Sequence, residues 1–122
     1  MARRSDIGKW GEDIAVDVLV KEGFAICERN WRQGHHEIDI VAMRGDTLAI
    51  VEVKTRTDKD EDPFESIDKK KISNLVAAAE VYIKAKDCPH NVRFDVIGVL
   101  GTPADYTVEY IPDAFEPPMH FL

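Results

Sequence analysis

The sequence has no run of roughly 18 apolar residues, and it therefore contains no candidate membrane-spanning helix. The N-terminal segment MARRSDIGKW is basic but no apolar run follows it, which argues against a secretory signal peptide. Cysteine is scarce: Cys27 and Cys88 lie far apart and form neither a CxxC motif nor a metal-ligand spacing. Together these absences predict a cytoplasmic protein with two reduced thiols and no membrane partner.

An excess of basic residues is also missing. The chain has 16 Lys and Arg against 23 Asp and Glu, which gives a formal net charge of −7. Nucleic-acid binding depends on neutralising phosphates, and a basic domain is its usual signature. An acidic chain can still bind DNA through a local basic patch, so any such binding is expected to be weak, salt-sensitive and dependent on a divalent ion.

What remains is the composition of an ordinary globular domain. Hydrophobic residues make up 44% of the chain and charged residues 32%. A chain of 122 residues is long enough to bury a core, and no internal repeat or low-complexity segment divides it. We therefore expect one domain over residues 1–122.

The stretch from His36 to Arg56, HEIDIVAMRGDTLAIVEVKTR, has the pattern of a β-hairpin. Two segments of alternating apolar and polar residues flank Gly45-Asp46, a dipeptide suited to a tight two-residue turn. Counting outward from this turn places Asp39 directly opposite Glu52. The other predicted pairs are Glu37 with Lys54, Ile38 with Val53, Ile40 with Val51 and Ala42 with Ala49.

Two carboxylates opposite each other in a strand pair repel, at a cost of up to roughly 1 kcal/mol. A hard divalent cation such as Mg2+ or Mn2+ would relieve the repulsion between Asp39 and Glu52, because carboxylate oxygens are its preferred ligands. Lys54 lies on the same face, where an ammonium group can orient a water or stabilise charge on a phosphoryl oxygen. The alternative is a solvated face with scattered charges, and a one-residue slip in register would separate the two carboxylates.

Read as D-x(12)-E-V-K, Asp39, Glu52 and Lys54 resemble the PD-(D/E)xK nuclease signature. Over nearly the whole chain the sequence is also similar to the YraN family of small uncharacterised bacterial proteins. The matching motifs are Gly11-Glu12, Arg29 to Arg32, His36 to Ala42, Val51 to Arg56 and Phe94 to Val96. At one position the sequence departs from this pattern, since His36 stands where the family usually has glycine.

The resemblance implies a restriction-endonuclease-like αβββαβ core, that is, an α/β domain with a mixed central sheet flanked by helices. It also implies a metal-dependent nuclease that hydrolyses phosphodiester bonds of DNA, with branched or damaged DNA as candidate substrates. Asp39 and Glu52 would hold Mg2+ or Mn2+ together with the Val53 carbonyl. Lys54 would position the water, and Glu12 would act as an outer-shell or second-metal ligand. Branched-DNA nucleases of this fold are commonly dimers, so analogy suggests a homodimer.

Three basic residues are candidate substrate contacts. Arg56 continues the face of the hairpin that carries the carboxylates, and Arg32 precedes the hairpin. Lys71 lies early in the second predicted helix, where a cation gains nothing from the helix dipole. A solvated charge run explains such a lysine equally well. His35 and His36 are adjacent, so in a strand they are expected to point to opposite faces.

The remaining patterns complete an α/β arrangement of helix, three strands, helix and two strands, with one helix on each face of the sheet. The predicted elements are a helix capped by Ser5 or Asp6 and ending near Glu22, a strand from Phe24 to Trp31, a helix capped by Ser66 and ending near Lys86, and strands from Val92 to Leu100 and Tyr106 to Ile111. The charged segment Thr55 to Glu65 is predicted to be a mobile loop, and Pro112 to Leu122 a surface tail. Asp95 is expected to form a structural hydrogen bond or ion pair.

Two other classes of function remain open. The chain is alternatively a non-catalytic nucleic-acid-binding module that assists a partner in DNA processing, because such a partner would supply the missing basic surface. The third class is a structural protein whose acidic face binds Ca2+ or Mg2+ for stability. The presence of Asp39, Glu52 and Lys54 on one face argues against a purely structural role.

Overall fold

A five-stranded mixed sheet forms the centre of the computed structural model, which describes residues 4–87 and 91–117. The elements in chain order are α1 (Arg4–Lys21), β1 (Ala25–Gln33), β2 (His36–Arg44), β3 (Thr47–Arg56), α2 (Lys69–Lys86), β4 (Asn91–Thr102) and β5 (Asp105–Phe115). The strands lie in the sheet in chain order, and every neighbouring pair is antiparallel except β3 and β4, which α2 connects. The predicted α/β class is confirmed, and the element order is consistent with an αβββαβ core.

The two helices cover opposite faces of the sheet, as predicted. β3 is buried on both sides, so its alternating residues contribute to two separate hydrophobic clusters. Ile50 belongs to the cluster under α2, which also contains Phe94 and Tyr82. Val51 belongs to the cluster under α1, which contains Leu19. This arrangement holds β3, the strand that carries the predicted Glu and Lys, at the centre of the domain.

β2 and β3 separate partway along their length. Their ladder follows the predicted register from the tight turn as far as Ile40 and Val51, and it ends there. Beyond this point Ile38 faces Trp31 of β1, while β3 continues beside β4. The predicted pairing of Ile38 with Val53 does not form. The result is a fork between β2 and β3, open toward α1.

A backbone irregularity in β1 accompanies the fork. Asn30 has a φ of 53°, in the left-handed region that asparagine tolerates better than most residues. On either side of it, Arg29 binds a carboxylate of α1 whereas Trp31 packs into the cluster under α2. β2 shows the same change of face, since Ile38 joins the α2 cluster and Ile40 the α1 cluster. Strict alternation therefore fails at this end of the hairpin.

The start of α2 differs from the prediction. Asp68, not Ser66, is the N-cap, and its Oδ1 accepts a hydrogen bond from the backbone N–H of Lys71 at 2.8 Å. Pro63 and Ile67 in the preceding segment are buried, so the predicted mobile loop is anchored to the domain at its C-terminal end. The chain forms turns over residues 63–66, and the helix begins two residues later than predicted.

Other boundaries also differ. β1 runs to Gln33 and β5 to Phe115, so both strands are longer than predicted. Ser5 and Asp6 lie inside α1, and the predicted cap position is therefore wrong. Residues 118–122 of the predicted tail and the second cysteine lie outside the described residues, whereas Cys27 is exposed. No helix in the described ranges is long and apolar enough to cross a membrane.

Two glycines of α1 provide a matched test of how closely this helix approaches β3. A Cβ atom on Gly11 would lie 2.9 Å from Cγ2 of Thr55, whereas a Cβ on Gly8 would meet nothing within 4 Å. We expect Gly11→Ala to lower the free energy of unfolding by about 1–3 kcal/mol, because the helix must shift. We expect Gly8→Ala to raise it by about 0.5–1 kcal/mol, because alanine favours the helix. Urea unfolding measures both changes, and equal effects would contradict the close approach.

Candidate functional site

Asp39 and Glu52 lie at the fork where β2 leaves β3. The side chain of Asp39 reaches toward β3, and its Oδ2 accepts a hydrogen bond from the backbone N–H of Val53 at 2.8 Å. Glu52 is buried, with 5% of its surface exposed, and its carboxyl group lies close enough to that of Asp39 to raise the pKa of Asp39. The structure therefore brings the two predicted carboxylates together, although they meet across the fork and not as a pair in the strand ladder.

The environment of Asp39 favours its protonated form. Burial and the negative charge of Glu52 raise the pKa of Asp39 to about 8, against the opposing effects of the Val53 N–H and the Lys71 ammonium. At neutral pH Asp39 therefore retains a proton in the absence of a cation. A divalent ion at this position would replace that proton.

Two lysines from different elements bind the same oxygen of Glu52. The Nζ atoms of Lys54 and Lys71 lie 3.2 Å and 3.0 Å from its Oε2. Lys54 follows Glu52 on β3 and lies on the predicted face. Lys71, predicted as a substrate contact, reaches the carboxylate pair from the first turn of α2. Burial opposes its charge, but the hydrogen bond and charge of Glu52 raise the pKa of Lys71 above its ordinary value.

Glu12 is fixed on the wall of the same site by contacts with β1. It is buried, and its Oε1 accepts hydrogen bonds from Arg29 Nε at 3.0 Å and Asn30 Nδ2 at 2.9 Å. Arg29 also pairs with Asp13 at 2.6 Å. The unusual backbone of Asn30 thus has a consequence here, because it directs an amide toward Glu12. The role of Glu12 as a metal ligand stays a prediction.

A cavity of about 890 Å³ opens between the first half of α1 and the fork. Its lining combines acidic and basic side chains with backbone, among them Glu12, Asp39, Val53, Lys9, Arg32 and Arg56. The two predicted arginines each pair with an acid, Arg32 with Glu37 at 3.1 Å and Arg56 with Glu61 at 3.6 Å. Exposed pairs of this kind contribute little to stability, so a phosphate can replace either carboxylate at small cost.

Sequence reasoning missed two features of this region. Lys9 lines the cavity, and its only signal in the sequence was a position three residues before Glu12, on the same face of a helix. His35 and His36 were expected to point apart, but their ring centroids lie 4.4 Å from each other. His35 lies in the turn between β1 and β2, where the alternation of a strand does not apply.

The donor set fits a divalent ion that takes few protein ligands. Within residues 4–87 and 91–117, no three His, Cys, Asp or Glu side chains form a group that holds a metal by themselves. Asp39 and Glu52 supply two carboxylates, and Mg2+ commonly uses one or two, with waters and substrate phosphates as its other ligands. The raised pKa of Asp39 reflects its burial first and then the negative charge of Glu52, and a bound cation would offset both. A closed structural site, which needs a full protein cage, does not fit these residues.

Asp95 lies apart from this site and has the structural role that was expected. It is 1% exposed and accepts hydrogen bonds from Arg93 Nε at 2.9 Å, Tyr110 Oη at 2.6 Å and the Asp113 N–H at 2.9 Å. Burial and the bond to this carboxylate raise the pKa of Tyr110 to about 12. The network ties β5 to β4, and it leaves Asp95 no oxygen free for the carboxylate site.

Comparison with known proteins matches residues 11–99 to a family described as uncharacterised protein family UPF0102. A UPF0102 protein of Bacteroides fragilis is 46% identical, with 98% of this chain and 99% of the relative covered. One from Bacteroides thetaiotaomicron is 43% identical over the same shares. A third, from Dictyoglomus turgidum, is 40% identical over 90% of this chain and 97% of its own length. The family match over residues 11–99 includes the fork, both lysines at Glu52, and Glu12 on the wall of the cavity.

Proposed function

The chain belongs to the UPF0102 family, and on that premise we propose that it is a metal-dependent nuclease that hydrolyses phosphodiester bonds of DNA. The observation that carries the proposal is the contact between the Asp39 and Glu52 carboxyls, with Lys54 beside them, next to a cavity large enough for a nucleic-acid backbone. Bringing two carboxyls out of water and into contact costs stability. Cation binding would explain why the protein maintains this unfavourable contact.

Asp39 and Glu52 would hold the Mg2+ or Mn2+ ion together with the Val53 carbonyl. When bound, such an ion polarises a phosphoryl oxygen and lowers the pKa of a water molecule. Binding requires Asp39 to release its proton, so ion affinity is expected to rise with pH up to about 8, where this carboxyl ionises. Glu12, on the wall of the cavity, would make an outer-sphere or second-ion contact.

Basic side chains in and beside the cavity would bind and orient the substrate. Lys54 holds its ammonium group beside Glu52, where it orients the attacking water or stabilises charge on the phosphoryl group. Lys9, Arg32 and Arg56 line the cavity and would neutralise backbone phosphates. Because the chain as a whole carries a net charge of −7, this local patch acts against a general repulsion. We expect DNA affinity to fall with salt, because the contacts of these three cations with phosphates release counterions.

A second candidate function is supported by a different observation. Glu52 already pairs with Lys54 and Lys71, so its charge is balanced without a metal ion. Such a balanced cluster favours a non-catalytic module that binds nucleic acid and assists a partner in DNA processing. The two functions differ in one measurable respect, because only the nuclease requires a divalent ion to act on DNA.

The test is cleavage of labelled linear, flapped and four-way DNAs and of an RNA strand, with Mg2+ or Mn2+. We expect the wild-type protein to cut at least one DNA substrate and Asp39→Ala to cut none, because the variant loses half of the carboxylate ligands. Binding of DNA at low salt with every substrate left intact would favour the binding module. If calorimetry also detects no divalent-ion binding, the catalytic proposal fails.

A further inference from the structure

A second cavity, of about 170 Å³, lies on the α2 side of the carboxylate pair. It is lined by His35, His36, Glu37, Lys71, Asn74, Leu75 and Ala77, none of which lines the larger cavity. The turn and first residues of β2 supply the histidines. Lys71 and Asn74 are three residues apart on α2 and therefore lie on one face of the helix.

Hydrogen-bond donors dominate this small cavity. The two imidazoles lie side by side, with ring centroids 4.4 Å apart, and Lys71 and Asn74 add an ammonium and an amide. Its one carboxylate, Glu37, is engaged by Arg32 at 3.1 Å. The histidines and Glu37 do not form a group that holds a metal within the part of the chain that the structure describes. This chemistry suits phosphate oxygens, which accept several N–H bonds at once.

Two ion pairs connect the small cavity to the proposed catalytic site. Lys71 lines the small cavity, and its Nζ also lies 3.0 Å from Oε2 of Glu52. Glu37 lines the small cavity and pairs with Arg32, which lines the large one. The two cavities therefore flank the Asp39–Glu52 pair. A nucleic-acid strand that extends from one cavity to the other would pass over both carboxylates.

We propose that the small cavity is a second phosphate-binding subsite, which holds a phosphate adjacent to the one at the carboxylate pair. This inference rests on the proposed function and names how that site engages its substrate. A volume of about 170 Å³ admits a phosphate or one sugar–phosphate unit but not a base pair. Because Lys71 serves both sites, an ion at Glu52 would release it toward the phosphate, so ion and phosphate binding reinforce each other.

The test compares Asn74→Asp with Ser73→Asp. The two variants add the same charge at adjacent exposed positions of α2, but only position 74 lines the cavity. Binding is measured by fluorescence anisotropy of a labelled single-stranded DNA, with Ca2+ in place of Mg2+ to limit cleavage. We expect Asn74→Asp to weaken binding by about 5- to 20-fold through repulsion of phosphate, and Ser73→Asp by less than about 2-fold.

A double variant, His35→Phe with His36→Phe, tests the other wall without a change in formal charge at pH 7, because phenylalanine keeps a ring of similar size but has no N–H group. We expect it to weaken DNA binding by about 3- to 5-fold, because two N–H donors are lost. Circular dichroism melting shows whether each variant is folded. Competition with inorganic phosphate separates two sources of the ligand: displacement of DNA from wild type, but not from Asn74→Asp, means that the subsite also takes free phosphate.

The outcomes separate this inference from the nuclease proposal. A selective loss of DNA affinity in Asn74→Asp supports the subsite even if the wild-type protein cleaves nothing. Equal losses in Asn74→Asp and Ser73→Asp, or no loss in either, would overturn the subsite even if cleavage is observed. Failure of the wild-type protein to bind DNA or phosphate would also overturn it.

Discussion

Replacement of Lys54 by methionine is expected to reduce the rate of DNA cleavage by about 100- to 10,000-fold, the usual effect of removing a group that transfers a proton or stabilises charge in the transition state. The Lys54 side chain is only 14% exposed and its Nζ lies 3.2 Å from Glu52. Methionine has a similar length but no charge. Because Lys71 still pairs with Glu52, the buried carboxylate keeps a partner and the variant is expected to fold.

Divalent-ion binding distinguishes this effect from a general loss of the site. Lys54 is not among the proposed ligands, so calorimetry with Mn2+ is expected to show binding to Lys54→Met at least as tight as to wild type. Lys70→Met is the matched control, because it removes the same charge from an exposed position of α2. Its single-turnover rate is expected to stay within about 2-fold of wild type. An unchanged rate in Lys54→Met would remove this lysine from the mechanism.

Replacement of Asp39 by asparagine is expected to stabilise the metal-free protein at pH 8 but not at pH 4. The pKa of Asp39 is raised from 3.8 to about 8 in the folded state, so its proton is lost from the unfolded chain first as the pH rises. Wild type therefore loses stability between these two values, and the loss is complete above pH 8. Asparagine stays neutral and its Oδ1 can accept the Val53 N–H. We expect a gain at pH 8 of about 1–3 kcal/mol, measured by urea unfolding.

Addition of Mg2+ at pH 8 is expected to make the wild-type protein more stable than Asp39→Asn. An ion that binds only the folded protein adds about 2.7 kcal/mol at 100 times its dissociation constant, and Asp39→Asn loses this gain with its ligand. Asp17→Asn, at an exposed position of α1, is the control and is expected to change neither the pH profile nor the response to Mg2+. If wild type and Asp39→Asn unfold with the same pH dependence, Asp39 does not retain its proton in the folded state.

Several features were predictable because they depend on residues close together in the chain. A two-residue turn at Gly45-Asp46 sets the register of its own hairpin, so the pairs from the turn to Ile40 and Val51 were confirmed. Alternation over three residues places Glu52 and Lys54 on one face. Apolar periodicity likewise identified both helices and their order relative to the strands. A local pattern is enough for these features because the physical cause is local.

The α/β order, the central hairpin and the three residues of the D-x(12)-E-V-K motif could thus be derived from sequence patterns. The fork at Asp39, the hydrogen bonds that fix Glu12, the second lysine at Glu52 and the paired histidines of the small cavity arise from contacts in the folded chain. The first three join residues on different elements, whereas the histidine contact depends on the turn that precedes β2. Neither alternation nor periodicity carries a signal for these contacts, for the left-handed backbone at Asn30 or for the parallel pairing of β3 with β4.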